Sequence, residues 1–249
     1  MSRRVQIIGS YVSPYVRKVL ACLSLKSIDY EIDPIVPFMG GERFTELSPL
    51  RRIPVLIDDR VTLADSSVIC QYLEDRYPEP ALYPADVAER ARARWLEEYA
   101  DTRIGDVIIW QLFNRAVLGP SLWGETRDLV ELERIRTEEI PPVLDYLDEH
   151  LPQSGFLFGA PGIADISIAV FFRNAVFSRF QVDPVRWPRA AGFVDRVLAL
   201  SCLAQLQPFE TLMMRTPIPQ QRDALRAAGA PLTAMTLGTG TLRRGVMRT

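Results

Sequence analysis

The chain has 249 residues, 48% of them hydrophobic, and a net charge of −2. That length supports one large domain or two small ones with a sizeable core, and the near-neutral charge speaks against nucleic-acid or anionic-membrane binding. A single histidine, His150, and three scattered cysteines, Cys22, Cys70 and Cys202, argue against a zinc site, a disulfide framework and a Ser-His-Asp hydrolase.

Val5-Gln6-Ile7-Ile8 reads as a short buried strand running into a turn and a helix. Ser13 stands at the N-cap and Pro14 at the first helical position. Val16, Val19, Leu20 and Leu23 then recur at helical spacing, so one face is apolar. A hydroxyl is thereby held at the positive end of a helix, where a thiolate or other anion is stabilised. Serine also caps many helices that do no chemistry, and Tyr11 is a rival hydroxyl two residues earlier.

Ile28 to Asp33 alternates apolar and charged residues and predicts a half-buried strand. A loop with a short helix over 42–47 follows. Pro54 to Ile57 and Val61 to Leu63 flank Asp58-Asp59-Arg60 and predict a β-hairpin. Ser66 to Tyr77 is an amphipathic helix. The order β-α-β-α-β-β-α predicts a mixed four-stranded sheet with helices on it.

Pro78 to Pro84 carries three prolines in seven residues and reads as a linker. Beyond it the pattern is helical: a long or broken helix from Asp86 to about Leu118, another from Asp128 to His150 with a break at Pro141-Pro142, then 164–177, 189–200 and 202–213. His150 suits the C-terminal dipole of its helix. From Thr216 onward the chain is rich in Thr, Gly, Ala and Pro, with a short helix over 220–228 and the remainder either flexible or packed as coil over the body. The cysteines read as buried structural thiols in a reducing compartment. The start shows no signal-peptide core, and no apolar run approaches the ~20 residues of a membrane span; a cytoplasmic protein is expected.

Four segments taken in order carry a family resemblance: Ser13-Pro14-Tyr15-Val16-Arg17, Arg52-Ile53-Pro54-Val55-Leu56, Asp65-Ser66-Ser67-Val68-Ile69 and Gly162-Ile163-Ala164-Asp165-Ile166. The chain resembles the cytosolic glutathione transferases, most of all the Ser-type classes (tau- or zeta-like) and related bacterial enzymes. The resemblance implies a thioredoxin-like glutathione-binding domain over 1–78, a linker over 79–86, an all-helical domain over 87–214 and a partly coil extension over 215–249.

It also implies chemistry. Glutathione must be a thiolate to attack an electrophile, and the Ser13 hydroxyl would donate a hydrogen bond to that sulfur and lower its pKa. Ile53-Pro54 matches the family's cis-proline, with the Val55 backbone paired to the cysteinyl backbone of glutathione like an added strand. Ser66 and the free N–H groups beside it suit the γ-glutamyl carboxylate, and Asp65 suits the amino group. Arg52, in a loop shared with Arg51, is assigned to the glycyl carboxylate. Tyr11, Val12, Phe38, Trp110, Phe113, Asn114 and Trp123 are candidates for an apolar acceptor pocket, which would take a hydrophobic electrophile. A homodimer is implied, and no metal, nucleic acid or membrane. The family's Ser or Thr three residues before the buried Asp is here Gly162, so half of that capping box is missing; loss of Asp165 should still destabilise the domain. Ser13, rather than Cys, argues against glutaredoxin-like thiol transfer.

The expected activity is conjugation of glutathione to a hydrophobic electrophile. Isomerisation, peroxide reduction, dehalogenation or ether cleavage on the same thiolate stays open, as does a non-catalytic binding role.

Overall fold

The computed structural model describes residues 5–244. Two compact units divide the chain: one runs up to Pro80 and resumes at Ser201, and the other is Ala81–Leu200.

In the first unit, β1 (Val5–Ile8), β2 (Tyr30–Asp33), β3 (Val55–Ile57) and β4 (Thr62–Leu63) form one sheet in the order β2-β1-β3-β4. β1 and β2 are parallel, and β3 is antiparallel to both β1 and β4. α1 (Pro14–Leu25) and α3 (Ser66–Arg76) pack together, and a 3-10 turn (Pro37–Met39) and α2 (Glu42–Leu47) join β2 to β3. This is the expected βαβαββα order. The apolar stripe of α1 is fully buried at Val16, Val19, Leu20 and Leu23. Each such side chain contributes about 1.5–3 kcal/mol of transfer free energy. The chain's two lysines are both buried ties of this helix. Lys18 Nζ donates to Ser67 Oγ at 3.1 Å, and Lys26 Nζ pairs with Glu74 at 2.7 Å and with the Pro80 carbonyl at 2.9 Å.

The second unit is helical. It comprises α4 (Val87–Tyr99), a wide-turned π-type helix over Ala100–Trp123, α5 (Leu129–Arg134), a further wide-turned stretch over Ile135–Glu139, α6 (Ile140–His150), α7 (Ile163–Ala169), α8 (Phe172–Phe177) and α9 (Pro188–Leu198). The expected break at Pro141-Pro142 is a change of helix type, with proline in the first turn of α6. His150 ends α6 with its ring against Tyr146 and Nδ1 at 2.8 Å from the Tyr146 carbonyl, the C-terminal role its position predicts. Among the described residues no single helix is long and apolar enough to cross a membrane.

The helical remainder does not run to 214 as one domain. The unit ends at Leu200, and α10 (Ser201–Ala204) and α11 (Gln207–Arg215) belong with the first unit. The physical reason is an apolar edge, Cys202, Leu203 and Leu206, buried there, with Gln205 Nε2 donating to Ser24 Oγ at 2.8 Å. The tail packs over the body, the second of its two expected states. After α12 (Ile218–Ala227) it runs beside the outer edge of the sheet, with a parallel bridge between Leu232 and Ile32. The Ile32 N–H donates to Pro231 O at 2.7 Å, and the Thr233 N–H donates to Ile32 O at 3.1 Å.

Candidate active site

Three turns meet at one end of the sheet. β1 ends at Ile8 opposite Val55, where β3 begins, and β4 ends at Leu63 opposite Leu56. The Ser10–Ser13 turn, the Ile53-Pro54 bond and the Asp65-Ser66 helix start therefore leave the sheet together. Gly9 opens the first turn at φ +157°, where a Cβ would stand 2.5 Å from Val16 Cγ2 and 3.4 Å from Ile53 Cβ. Only glycine fits that close approach.

Ser13 is half-buried and caps α1, its Oγ accepting from the Val16 N–H at 3.4 Å. Accepting uses a lone pair and leaves the O–H proton to donate. Tyr11, the rival, is fully buried, its ring 5.0 Å from Phe209. Burial, with Tyr30 beside it, pushes its phenol pKa up. That phenol is sealed in the core whereas the Ser13 hydroxyl is half-buried, which favours Ser13 over Tyr11 as the thiol contact.

Ile53-Pro54 is cis. The expected role of Val55 does not survive the register. Asp58 N–H donates to Val61 O at 3.1 Å, toward β4, and backbone groups alternate sides along a strand, so Leu56 faces β4 and Val55 faces β1. On β1, Gly9 N–H donates to Asp33 O at 2.9 Å, so Ile8 faces β3 and meets Val55 as a bonded pair. The backbone N–H and C=O with no partner among the described residues are those of Ile53, two residues earlier.

Asp65 caps α3, with Oδ1 accepting from Ser67 N and Val68 N, each at 3.0 Å. Its second oxygen takes no part in the cap. Ser66 follows, buried, at the first helical position, where the N–H has no intrahelical acceptor. The two adjacent arginines separate. Arg51 is buried, donating to Thr45 Oγ1 at 2.5 Å and to Gly40 O at 2.9 Å. Arg52 is exposed, tied by its backbone alone to the buried Ser48 hydroxyl, whose Oγ is 3.0 Å from Arg52 N and 2.8 Å from Arg52 O.

Of the pocket candidates in this unit, Val12 is half-buried and Phe38 is buried in the 3-10 turn. Trp110, Phe113, Asn114 and Trp123 all lie on the wide-turned helix of the other unit; Phe113 and Asn114 are buried, Trp110 and Trp123 half-buried. Asp165 is fully buried and accepts from Leu157 N and Gly162 N, each at 2.9 Å. Burial pushes its carboxyl pKa up, against those two N–H groups. Gly162 has a reason of its own: a Cβ there would stand 2.8 Å from the Leu82 carbonyl, which holds Ile163 N at 3.0 Å. All three cysteines are buried and outside any disulfide, and burial pushes the Cys202 thiol up to about 11. Sequence reasoning missed Arg17 and Glu210, a fully buried pair behind the Ser13 turn. The available signal was a charged residue set in the apolar stripe of α1.

Two family profiles match the chain, the glutathione S-transferase N-terminal domain over residues 7–81 and the C-terminal domain over 127–196. A maleylacetoacetate isomerase from Mus musculus is 41% identical over 196 residues, 77% of this chain and 86% of that protein. The solved glutathione S-transferase from Rhodospirillum rubrum F11 superposes with a TM-score of 0.77 at 25% identity, covering 88% of this chain and 99% of its own. One from Methylobacterium radiotolerans, solved in complex with glutathione sulfonate, gives 0.66 at 27%, covering 81% of this chain and 93% of its own. The chain belongs to the glutathione S-transferase family.

Proposed function

We propose that this protein binds glutathione at the sheet end just described and uses Ser13 to hold it as a thiolate for attack on a hydrophobic electrophile. The single observation that carries the reading is the Ser13 hydroxyl at the N-terminus of α1, its lone pair on Val16 N–H and its proton left to donate. A donated hydrogen bond and the helix dipole both favour the charged sulfur. The Ile53 N–H and C=O take the cysteinyl backbone. Ser66, through its hydroxyl and its own N–H at the α3 start, takes the γ-glutamyl carboxylate, the open oxygen of Asp65 its ammonium group, and Arg52 the glycyl carboxylate. The thiolate sulfur forms the new C–S bond and a leaving group departs with its electron pair. A homodimer belongs to this reading, and Val68 and Trp95 expose large apolar surface in keeping with it.

A second reading, favoured by the maleylacetoacetate isomerase relative, is isomerisation: the thiolate adds to a conjugated double bond, the single bond rotates, and elimination returns the thiolate. Glutathione is consumed in conjugation and not in isomerisation, so thiol titration over many turnovers separates the two. The shared step is tested by Ser13→Ala. A hydrogen bond to a charged group is worth about 1.5–3 kcal/mol, roughly 1–2 pKa units. The bound-thiol pKa, read by ultraviolet thiolate absorbance, should rise by that much, with turnover near neutral pH falling ~10–100-fold and glutathione affinity nearly unchanged. Equal loss of affinity and turnover, or no loss, overturns the role.

A further inference from the structure

Arg17 is fully buried on α1, one helical turn beyond Ser13, and its charge needs a reason. Its Nε lies 2.9 Å from Glu210 Oε1 on α11, with both side chains at 1% exposure or less. Its Nη2 donates to the Val12 carbonyl at 2.9 Å, while its backbone N–H donates to the Ser13 carbonyl at 3.0 Å. One residue thus holds the carbonyl before Ser13 and the carbonyl of Ser13 itself. The other end of the Val12-Ser13 peptide is held by Ser13 N–H donating to Ser10 O at 3.0 Å. Both polar atoms of the peptide plane that aims the Ser13 side chain are therefore fixed.

α11 supports the whole turn. Its Phe209 ring packs on Tyr11 at 5.0 Å, and its Met213 sulfur takes the Ser10 hydroxyl at 3.8 Å. Glu210, between them, reaches Val12 through Arg17. A planar guanidinium suits this task because one rigid group sets Nε beside the Glu210 carboxylate and Nη2 on the Val12 carbonyl, which an ammonium does not.

We propose that Arg17, locked by Glu210, is the positioning residue that aims the Ser13 hydroxyl at the glutathione sulfur, and that α11, from the chain beyond the helical unit, completes the site. The proposal rests on the thiolate role given to Ser13. Both side chains are closed off from solvent, so they act through the turn alone.

The test uses the full chain, with glutathione as the probe and the bound-thiol pKa as the readout. In Arg17→Met/Glu210→Leu the pair becomes apolar side chains of similar volume, a replacement that is often neutral for stability. The expected result is a bound-thiol pKa raised by about one unit, equivalent to a tenfold loss of thiolate, with glutathione affinity within about threefold. Arg17→Lys, which retains a cation for Glu210 while losing the fork, should give the same direction and carries the test should the double variant not fold. A changed melting temperature with an unshifted thiol pKa overturns the proposal, because a structural pair would do that. Ser13→Ala is measured beside them. If it raises the pKa and the Arg17 variants do not, positioning alone fails; if it leaves the pKa unmoved, the Ser13 reading fails and takes the proposal with it.

Discussion

Arg222→Ala should loosen the strap that the C-terminal tail lays along β2. Asp33, at the end of that strand, has a side chain only 3% exposed; one oxygen lies 2.9 Å from Arg222 Nη1 and the other accepts from Leu237 N at 2.6 Å. Removing one partner of a buried pair costs about 3–5 kcal/mol. Arg222 is 21% exposed and Asp33 keeps the Leu237 N–H, so about 2–3 kcal/mol is expected. For a chain of this length that is a fall in melting temperature of about 5–10 °C. The pH dependence has a definite sign. Burial raises the Asp33 pKa, against the Leu237 N–H, the Thr236 hydroxyl and Arg222. The folded carboxyl then holds its proton more tightly than the unfolded one, and its contribution to stability falls as pH rises from about 4 through the folded value. Without Arg222 the folded value rises further. The variant's deficit should be small in acid and grow toward neutral pH. Thermal melts from pH 4.5 to 8, with amide exchange at Thr233, Leu237 and Thr239, measure it. A deficit below about 1 °C, or one flat with pH, refutes the reasoning.

Asp58 has the opposite sign. Burial pushes its carboxyl up, but the Tyr72 hydroxyl, the Arg60 and Val61 N–H groups and the Arg76 guanidinium outweigh it and leave the pKa lowered. Asp58→Asn should cost about 2 kcal/mol at pH 7, and the gap should close as pH falls below about 4 through the folded value; urea melts at pH 7 and pH 3 that show an equal gap would sink this. Asp165→Ala strands the N–H groups of Leu157 and Gly162. At about 1–3 kcal/mol for each buried unsatisfied group, equilibrium unfolding should lose roughly 3–5 kcal/mol, with Asp165→Asn in between; a loss under about 1 kcal/mol contradicts it.

The strands, α1, α3 and their caps were legible because each rests on local signals: period-2 or period-3.6 burial, Ser13-Pro14, and Asp65 three residues before an accepted N–H. Three things were not. The side to which Val55 turns depends on the pairing register with β1 and β4, which a sequence does not state. The burial of Tyr11 depends on Phe209, almost two hundred residues away. The tail's composition leaves it either flexible or packed as coil and does not choose, because its bonds to Ile32, Phe38, Met39 and Gly41 are made by backbone groups, which carry no sequence signature.

The strap also bears on why two neighbouring arginines do different work. Arg51 sits at φ +52°, a left-handed conformation that non-glycine residues seldom adopt. Its guanidinium goes inward to Thr45, Gly40 and Pro37, while Arg52 is left outward. The same loop is gripped from outside by Thr239 N on Met39 O at 2.7 Å, Arg243 N on Phe38 O at 2.8 Å and Gly41 N on Leu237 O at 2.9 Å. A buried cation inside and a backbone strap outside thus fix the segment that leads to Arg52. In the proposed site Arg52 meets a ligand carboxylate from a fixed loop, and less ordering entropy is lost on binding than from a mobile one.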